Sequence, residues 1–509
     1  MIIPIPPMTN LLSASMFSHD CSRNEDHPTV IPICRITAVR QAQVYGVLHY
    51  SPQLKHLFLC STIDDLKSTR LLAAAISRMS NLHTLHVLNV AFEWPESKLV
   101  PTIVACCPPS LITLDIRYRS WDEGCDSKEL KTEEDWEAAV EAVKHFMPLL
   151  GEENGVPIVP RQGSLDRLSH LHTSQLETLT LEEVLSVFKQ CPNITNIFNL
   201  ELGGHIDPMD VAKCIIEHCP KVNRLTHHHV LVDFQLIMNI LSILPTDTLQ
   251  AFVCCVPDKS SANLASRLLR HSASLREIHL RKYQDFSSKA FQSILVHCQA
   301  LETFSCEGHG PVHTIKFNLA DVTEIPWGAT RLKHLRLMIA MDYVEPTGEG
   351  PLYQRLSQTN LSAADYNQMV MLKKLYHQIG RLIDLETLNM RLFDPLRPGY
   401  YTKDDEISFP GMLSLPREDS NRLGYLHLLA GLKKLRTLHR VIIARHDETI
   451  KMVEQPEVEW IAQNWPSLEE ITFFRSPEPG QSKPQPRPSC FLWLQDQMPR
   501  LKMHVPGTY

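Results

Sequence analysis

The sequence predicts an α/β solenoid, a curved parallel sheet on the concave side with helices on the convex side. Three observations carry that reading. The phrase L-x-x-L-x-L recurs along the chain, as in Leu54, Leu57, Leu59 and again in Leu111, Leu114, Ile116. Regular phrases start 26–29 residues apart, room for one strand, one helix and a parallel crossover. Apolar runs such as Leu71–Met79 lie between phrases and are long enough for about two helical turns. Together these define a leucine-rich-repeat solenoid with the longer, α/β kind of repeat.

Taken in order, residues 1–40 form no repeat and read as a poorly structured N-terminal segment, punctuated by Pro4, Pro6, Pro7, Pro28 and Pro32. The solenoid is expected over 41–509. A helical pattern over Ala38–Tyr50 leads into phrases at Leu54, Leu82 and Leu111. An insertion is expected near 117–175. Its acidic stretch opens a helix capped by Thr132, with Trp136, Val140, Val143 and Met147 on one face.

The array is expected to resume at Leu176, Leu179 and Leu181, with Thr180 and Glu183 forming a capping box. Phrases starting at Ile194, Val222, Leu249, Leu275, Leu301 and Leu332 follow. Further insertions are expected near 340–365 and 393–424, around phrases at Leu385, Leu435 and Leu468. A Pro-rich loop at 476–489 precedes a shortened closing unit.

Composition narrows the function classes. The 509 residues carry 57 acids and 50 bases, net −7, without long single-sign runs, which argues against nucleic-acid binding by bulk charge. Twenty-five histidines make the surface charge sensitive to mild acid; solvated or packed histidines without a switching role remain the simpler reading. Fourteen cysteines recur with the repeat, often before proline, as at Cys107, Cys191 and Cys219. That suits a small core filler in a reducing compartment.

No C-x-x-C pair suggests a zinc framework. The N-terminus lacks a basic n-region, and no run of about 18 apolar residues could span a membrane. An intracellular protein, cytoplasmic or nuclear, without membrane contact is expected.

No phosphate-binding loop, G-x-S-x-G, H-E-x-x-H or dinucleotide fingerprint occurs. No catalytic residue, cofactor or metal is therefore assigned, and an enzyme is not expected. His227, His228 and His229 form the sharpest metal candidate. A site there needs a third ligand, and His279 lies two repeats away; the preferred reading makes His227 a core residue and His228 a surface one.

If positions 1, 4 and 6 are buried, positions 3, 5 and 7 line the concave face. They hold His56 and Phe58, Thr84 and His86, then Thr113, Asp115 and Arg117. The partner-binding candidates are Arg224, His228, Glu277, His279, Arg281, His334, Arg336 and Arg391. Arginine and histidine are prominent there, which points to a protein partner and to an acidic segment of it.

The phrase helix, Cys-Pro, L-x-x-L-x-L resembles the cysteine-containing repeats of F-box proteins, as in HCPKVNRLTH and HCQALETFSC. LAGLKKLRTL and PEVEWIAQNWPSLEEITF look like fungal F-box/leucine-rich-repeat proteins. The resemblance covers roughly residues 41–475. It implies the substrate-recognition part of a cullin–RING (SCF-type) ubiquitin ligase subunit, whose amino-terminal F-box docks a Skp-type adaptor. The F-box itself is not recognisable: residues 1–50 lack its Leu-Pro opening, and Trp94 is the first tryptophan. Adaptor docking is therefore expected only with an F-box upstream. The alternative is a stand-alone repeat adaptor or regulator with no role in ubiquitylation.

Overall fold

Each regular leucine phrase becomes one strand, and every paired strand runs parallel to its neighbour. The computed structural model describes residues 32–33, 52–61, 66–89, 99–118, 160–173, 179–198, 200, 202, 204–227, 234–256, 261–282, 287–306, 316–340, 363–393, 411–417, 424–439, 453–472 and 489–504. The chain divides into two units, Met1–Leu244 and Pro245–Tyr509.

In the first unit the strands are β1 (Pro32–Ile33), β2 (His56–Ser61), β3 (Thr84–Asn89), β4 (Thr113–Tyr118), β5 (His170–Thr173), β6 (Asn196–Phe198) and β7 (Arg224–His227). They lie side by side in chain order. Their register aligns Leu57, Leu85, Leu114, Leu171, Ile197 and Leu225 in one column. All six are buried, which follows from the period of two: the fourth phrase position must face the helices in every unit or in none.

The second unit holds β8 (Ala251–Val256), β9 (Glu277–Lys282), β10 (Thr303–Ser305), β11 (Lys316–Asn318), β12 (His334–Ala340), β13 (Thr387–Phe393), β14 (Thr437–His439), β15 (Glu470–Thr472) and β16 (Lys502–His504). Its equivalent column is Phe252, Ile278, Phe304, Leu335, Leu388, Leu438, Ile471 and Met503. One strand position is shared: β10 pairs with the first half of β12 and β11 with its last three residues.

A forked hydrogen bond repeats just before most of the described strands. The Lys55 carbonyl accepts from His83 N and Thr84 N, the His83 carbonyl from Ile112 N and Thr113 N, and the Arg276 carbonyl from Glu302 N and Thr303 N. Each such turn is thereby fastened to the next.

Helices Leu66–Ser77 (α1), Leu99–Cys106 (α2), Leu181–Lys189 (α3), Pro208–His218 (α4) and Phe234–Ile243 (α5) pack in chain order in the first unit. The second unit has Ser261–Leu269 (α6), Ser288–His297 (α7), Leu319–Glu324 (α8), Ala363–Gly380 (α9), Gln455–Asn464 (α10) and Ser489–Gln497 (α11). This is the α/β repeat solenoid that the phrases imply.

Thr180 and Glu183 form the expected capping box on α3. That same box displaces the phrase expected at Leu176–Leu181, because Leu181 is the first residue of the helix. The strand is His170–Thr173 instead, with Leu168, Leu171 and Thr173 as its phrase. The array thus resumes inside the stretch assigned to the 117–175 insertion. The acidic helix expected around Trp136 lies outside the described residues. So does most of the N-terminal segment, from which Pro32 and Ile33 nonetheless enter the sheet beside Phe58 and Leu59. The Pro-rich loop lies outside too, except Ser489, which opens α11.

Arg161 ties the returning chain to α2. Its backbone N–H donates to the Ala105 carbonyl at 2.7 Å, and its guanidinium donates to the carbonyls of Val104 (3.0 Å) and Cys107 (2.7 Å). A cation satisfying the last carbonyls of a helix also meets the negative end of its dipole.

The repeated cysteine closes helices in the same way with a smaller group. The Cys219 thiol donates to the Cys191 carbonyl at 3.3 Å. Burial pushes both the Cys191 and Cys219 thiols up to about 12 from an ordinary 9. Native protein should therefore resist alkylation at these positions at pH 9, whereas urea-unfolded protein reacts there. The unfolded chain gives up these protons first, so their contribution to stability is complete below pH 9 and fades as the pH climbs towards 12. Mass mapping of iodoacetamide adducts checks the first point, and rapid native labelling of Cys219 would contradict it.

In the second unit, residues 411–417 fold back on α10. Arg417 Nη1 lies 2.6 Å from Glu454 Oε2 and Nη2 lies 3.3 Å from Glu457 Oε2. The fully buried Glu457 carboxylate also accepts from Leu415 N at 3.2 Å and Glu454 N at 3.0 Å. Nearby, Gly380 ends α9 where a Cβ would run into the Leu428 carbonyl of the 3-10 helix Leu426–Leu429. Only glycine allows that approach.

Candidate functional site

Strand alternation sends phrase positions 3 and 5 to the face away from the helices. Parallel pairing then sets them in rows across neighbouring strands. In the second unit one row runs Glu277, Thr303, His334, Thr387, Thr437 and Glu470. The adjoining row runs His279, Ser305, Arg336, Asn389 and His439.

Contacts within these rows orient the histidines. His279 Nε2 is 3.0 Å from Glu277 Oε1, and His334 Nδ1 is 3.1 Å from Thr387 Oγ1. His439 Nδ1 lies 3.9 Å from Glu470 Oε1. Ser305 and Asn389 are buried between larger neighbours, while Arg336 is half-buried and His334 exposed. At the margin, Lys333 Nζ reaches Glu302 Oε2 at 2.6 Å, and this hydrogen bond is the main reason the Glu302 carboxyl sits below its usual range.

The eight candidates are thus distributed. Glu277, His279, His334 and Arg336 come together on one face of the second unit. Arg281 and Arg391 occupy the next row by register, opposite Cys255 and Met338 respectively; their side chains lie outside the described residues. Arg224 belongs to the first unit, in the row of His170 and Asn196. Burial lowers the His170 pKa, and Arg224 adds to that shift. His228 lies outside the described residues. His227 is buried in the core, as its phrase position implies.

The first unit carries a more tightly built row that was read only in part from the sequence: Phe58, His86, Asp115, His172 and Phe198 on five successive strands. Asp115 Oδ2 lies 2.8 Å from His86 Nδ1, and its Oδ1 lies 2.9 Å from His172 Nδ1. The Phe58 ring stacks on His86 with centroids 4.3 Å apart and planes 6° apart. Phe198 packs on His172 at 4.1 Å. His172 was missed because its strand was expected eight residues later. Stepping back one 26-residue period from Ile194 to Leu168 would have found it.

Among the described residues no group of three or more metal-ligating side chains is placed to hold an ion. No described helix is long and apolar enough to cross a membrane. Fold and face together define an α/β repeat solenoid that displays ordered polar rows.

No family model matches the chain, and no curated protein matches it. Among solved structures it resembles the crystal structure of the Rad7 and Elc1 complex in yeast, at 12% identity and a TM-score of 0.33, over 86% of this chain and 84% of that one. Similarity at that level carries no residue-to-residue correspondence.

Proposed function

We propose that the chain is a protein-interaction scaffold whose second unit binds an acidic segment of a protein partner across its strand face. The observation that supports this most is the row His279–Ser305–Arg336–Asn389–His439, a polar and basic strip presented by adjacent strands. The second unit carries 31 bases against 29 acids, whereas the first carries 19 against 28. An acidic segment is therefore steered to the second unit. Guanidinium recognition of a carboxylate can be bidentate, and extended peptides match the spacing of neighbouring strands.

The sequence resemblance to fungal F-box/leucine-rich-repeat proteins supports reading this scaffold as the substrate-recognition part of a cullin–RING ubiquitin ligase subunit working inside the cell. A stand-alone adaptor with no ubiquitin role is the second reading. It is favoured by β1, which adds Pro32 and Ile33 to the sheet within the stretch where the family keeps its adaptor-docking helices.

Arg336→Glu tests the site. Affinity for an acidic partner found by proximity labelling should fall about 30-fold, on the order of 2 kcal/mol. The residual binding should weaken further as salt rises. Unchanged affinity in a folded variant would reject this face. Co-purification with a Skp-type adaptor separates the two readings, since only the ligase subunit retains it.

A further inference from the structure

We propose that the row Phe58–His86–Asp115–His172–Phe198 in the first unit is a seat for one lysine or arginine side chain of a protein partner. The argument starts from the Asp115 carboxylate, whose side chain is only 4% exposed and whose two oxygens face two imidazole Nδ1 atoms. An ionised carboxylate only accepts hydrogen bonds, so both Nδ1 atoms carry hydrogen. In the neutral rings the lone pair then sits on Nε2. The rings therefore export acceptor character from a carboxylate that a partner cannot reach directly.

His86, 23% exposed at its side chain, is the accessible end of this relay. Phe58 lies flat on that ring and fixes its plane, and its own π face can attract a cation. Charge points the same way: the first unit holds 28 acids and 19 bases, net −9 with histidine neutral. Among the described side chains, the other titratable or charged groups on this face are His56 and His170 in the neighbouring row and Arg224 at its end. These flanking bases restrict the seat to a single cationic side chain and disfavour a polycation.

Fluorescence anisotropy of the full chain with labelled short peptides, one with a single lysine among serines and one with a single glutamate, tests the seat. The lysine peptide should bind about ten-fold more tightly than the glutamate peptide. It should lose about ten-fold in affinity in Asp115→Asn and in His86→Phe, the second of which keeps the stacked ring but has no Nε2. Asp210→Asn, an exposed charge change on α4, should leave binding unchanged.

Equal affinity in folded His86→Phe, or tighter binding of the glutamate peptide, would overturn the proposal. An equal loss in Asp210→Asn would do the same by reducing the effect to bulk charge. The outcome is separable from that of Arg336→Glu, which concerns the second unit and an acidic ligand.

Discussion

Trp465→Ala is expected to destabilise the second unit by about 4 kcal/mol, the largest effect of any single substitution considered. Trp465 is fully buried, donates its indole N–H to the Leu429 carbonyl at 3.1 Å and meets the edge of Trp460. It occupies the place in its repeat that cysteine occupies elsewhere, at the residue closing the helix before a proline. Truncation removes a large apolar body, leaves a cavity and frees a buried carbonyl. Urea unfolding should show the midpoint moving down. Trp465→Phe should recover most of the loss and fall short by about 1 kcal/mol, the size of a net hydrogen bond. A Trp465→Ala protein with an unshifted midpoint would mean that the site collapses around the missing ring.

Glu457→Ala should cost about 3 kcal/mol, because it strips a buried anion from a pair and orphans two backbone donors. The Leu415 and Glu454 amides both donate to that carboxylate, and Arg417 would lose its contact with it while keeping Glu454. Glu454→Ala should cost less, since that carboxylate is 45% exposed and its pairing is correspondingly screened. Hydrogen exchange should then quicken at Leu415 and at the first turn of α10 in Glu457→Ala alone. Equal effects of the two substitutions would refute the clamp.

The column of buried phrase positions was legible because a period of two, repeated every 26–29 residues, leaves one consistent register. Counting positions placed His279, Arg281, Arg336 and Arg391 together on the concave face; the register sets His279 and Arg336 in one row and Arg281 and Arg391 one row further out. The strand at His170 was not legible in the same way. Its sixth position is Thr173, whereas Leu176–Leu181 matches the leucine pattern better. Helix capping, a local hydrogen-bond effect, outweighed that match. The Phe–His–Asp–His–Phe row was hidden for a different reason. Its members are separated by 28, 29, 57 and 26 residues, and only the correct placement of β5 brings them into line.

The forked hydrogen bond at these turns has a mechanical meaning. Lys55, His83 and Ile112 each hold only the turn that follows, and Arg276, Glu302 and Lys333 do likewise in the second unit. Within each unit the repeats are therefore springs in series. Their compliances add, so a small bend at every junction sums to a large displacement across the row while no single hydrogen bond need break. A peptide lying along several strands can be gripped by flexing the stack as a whole, with the strain shared among junctions and concentrated at none.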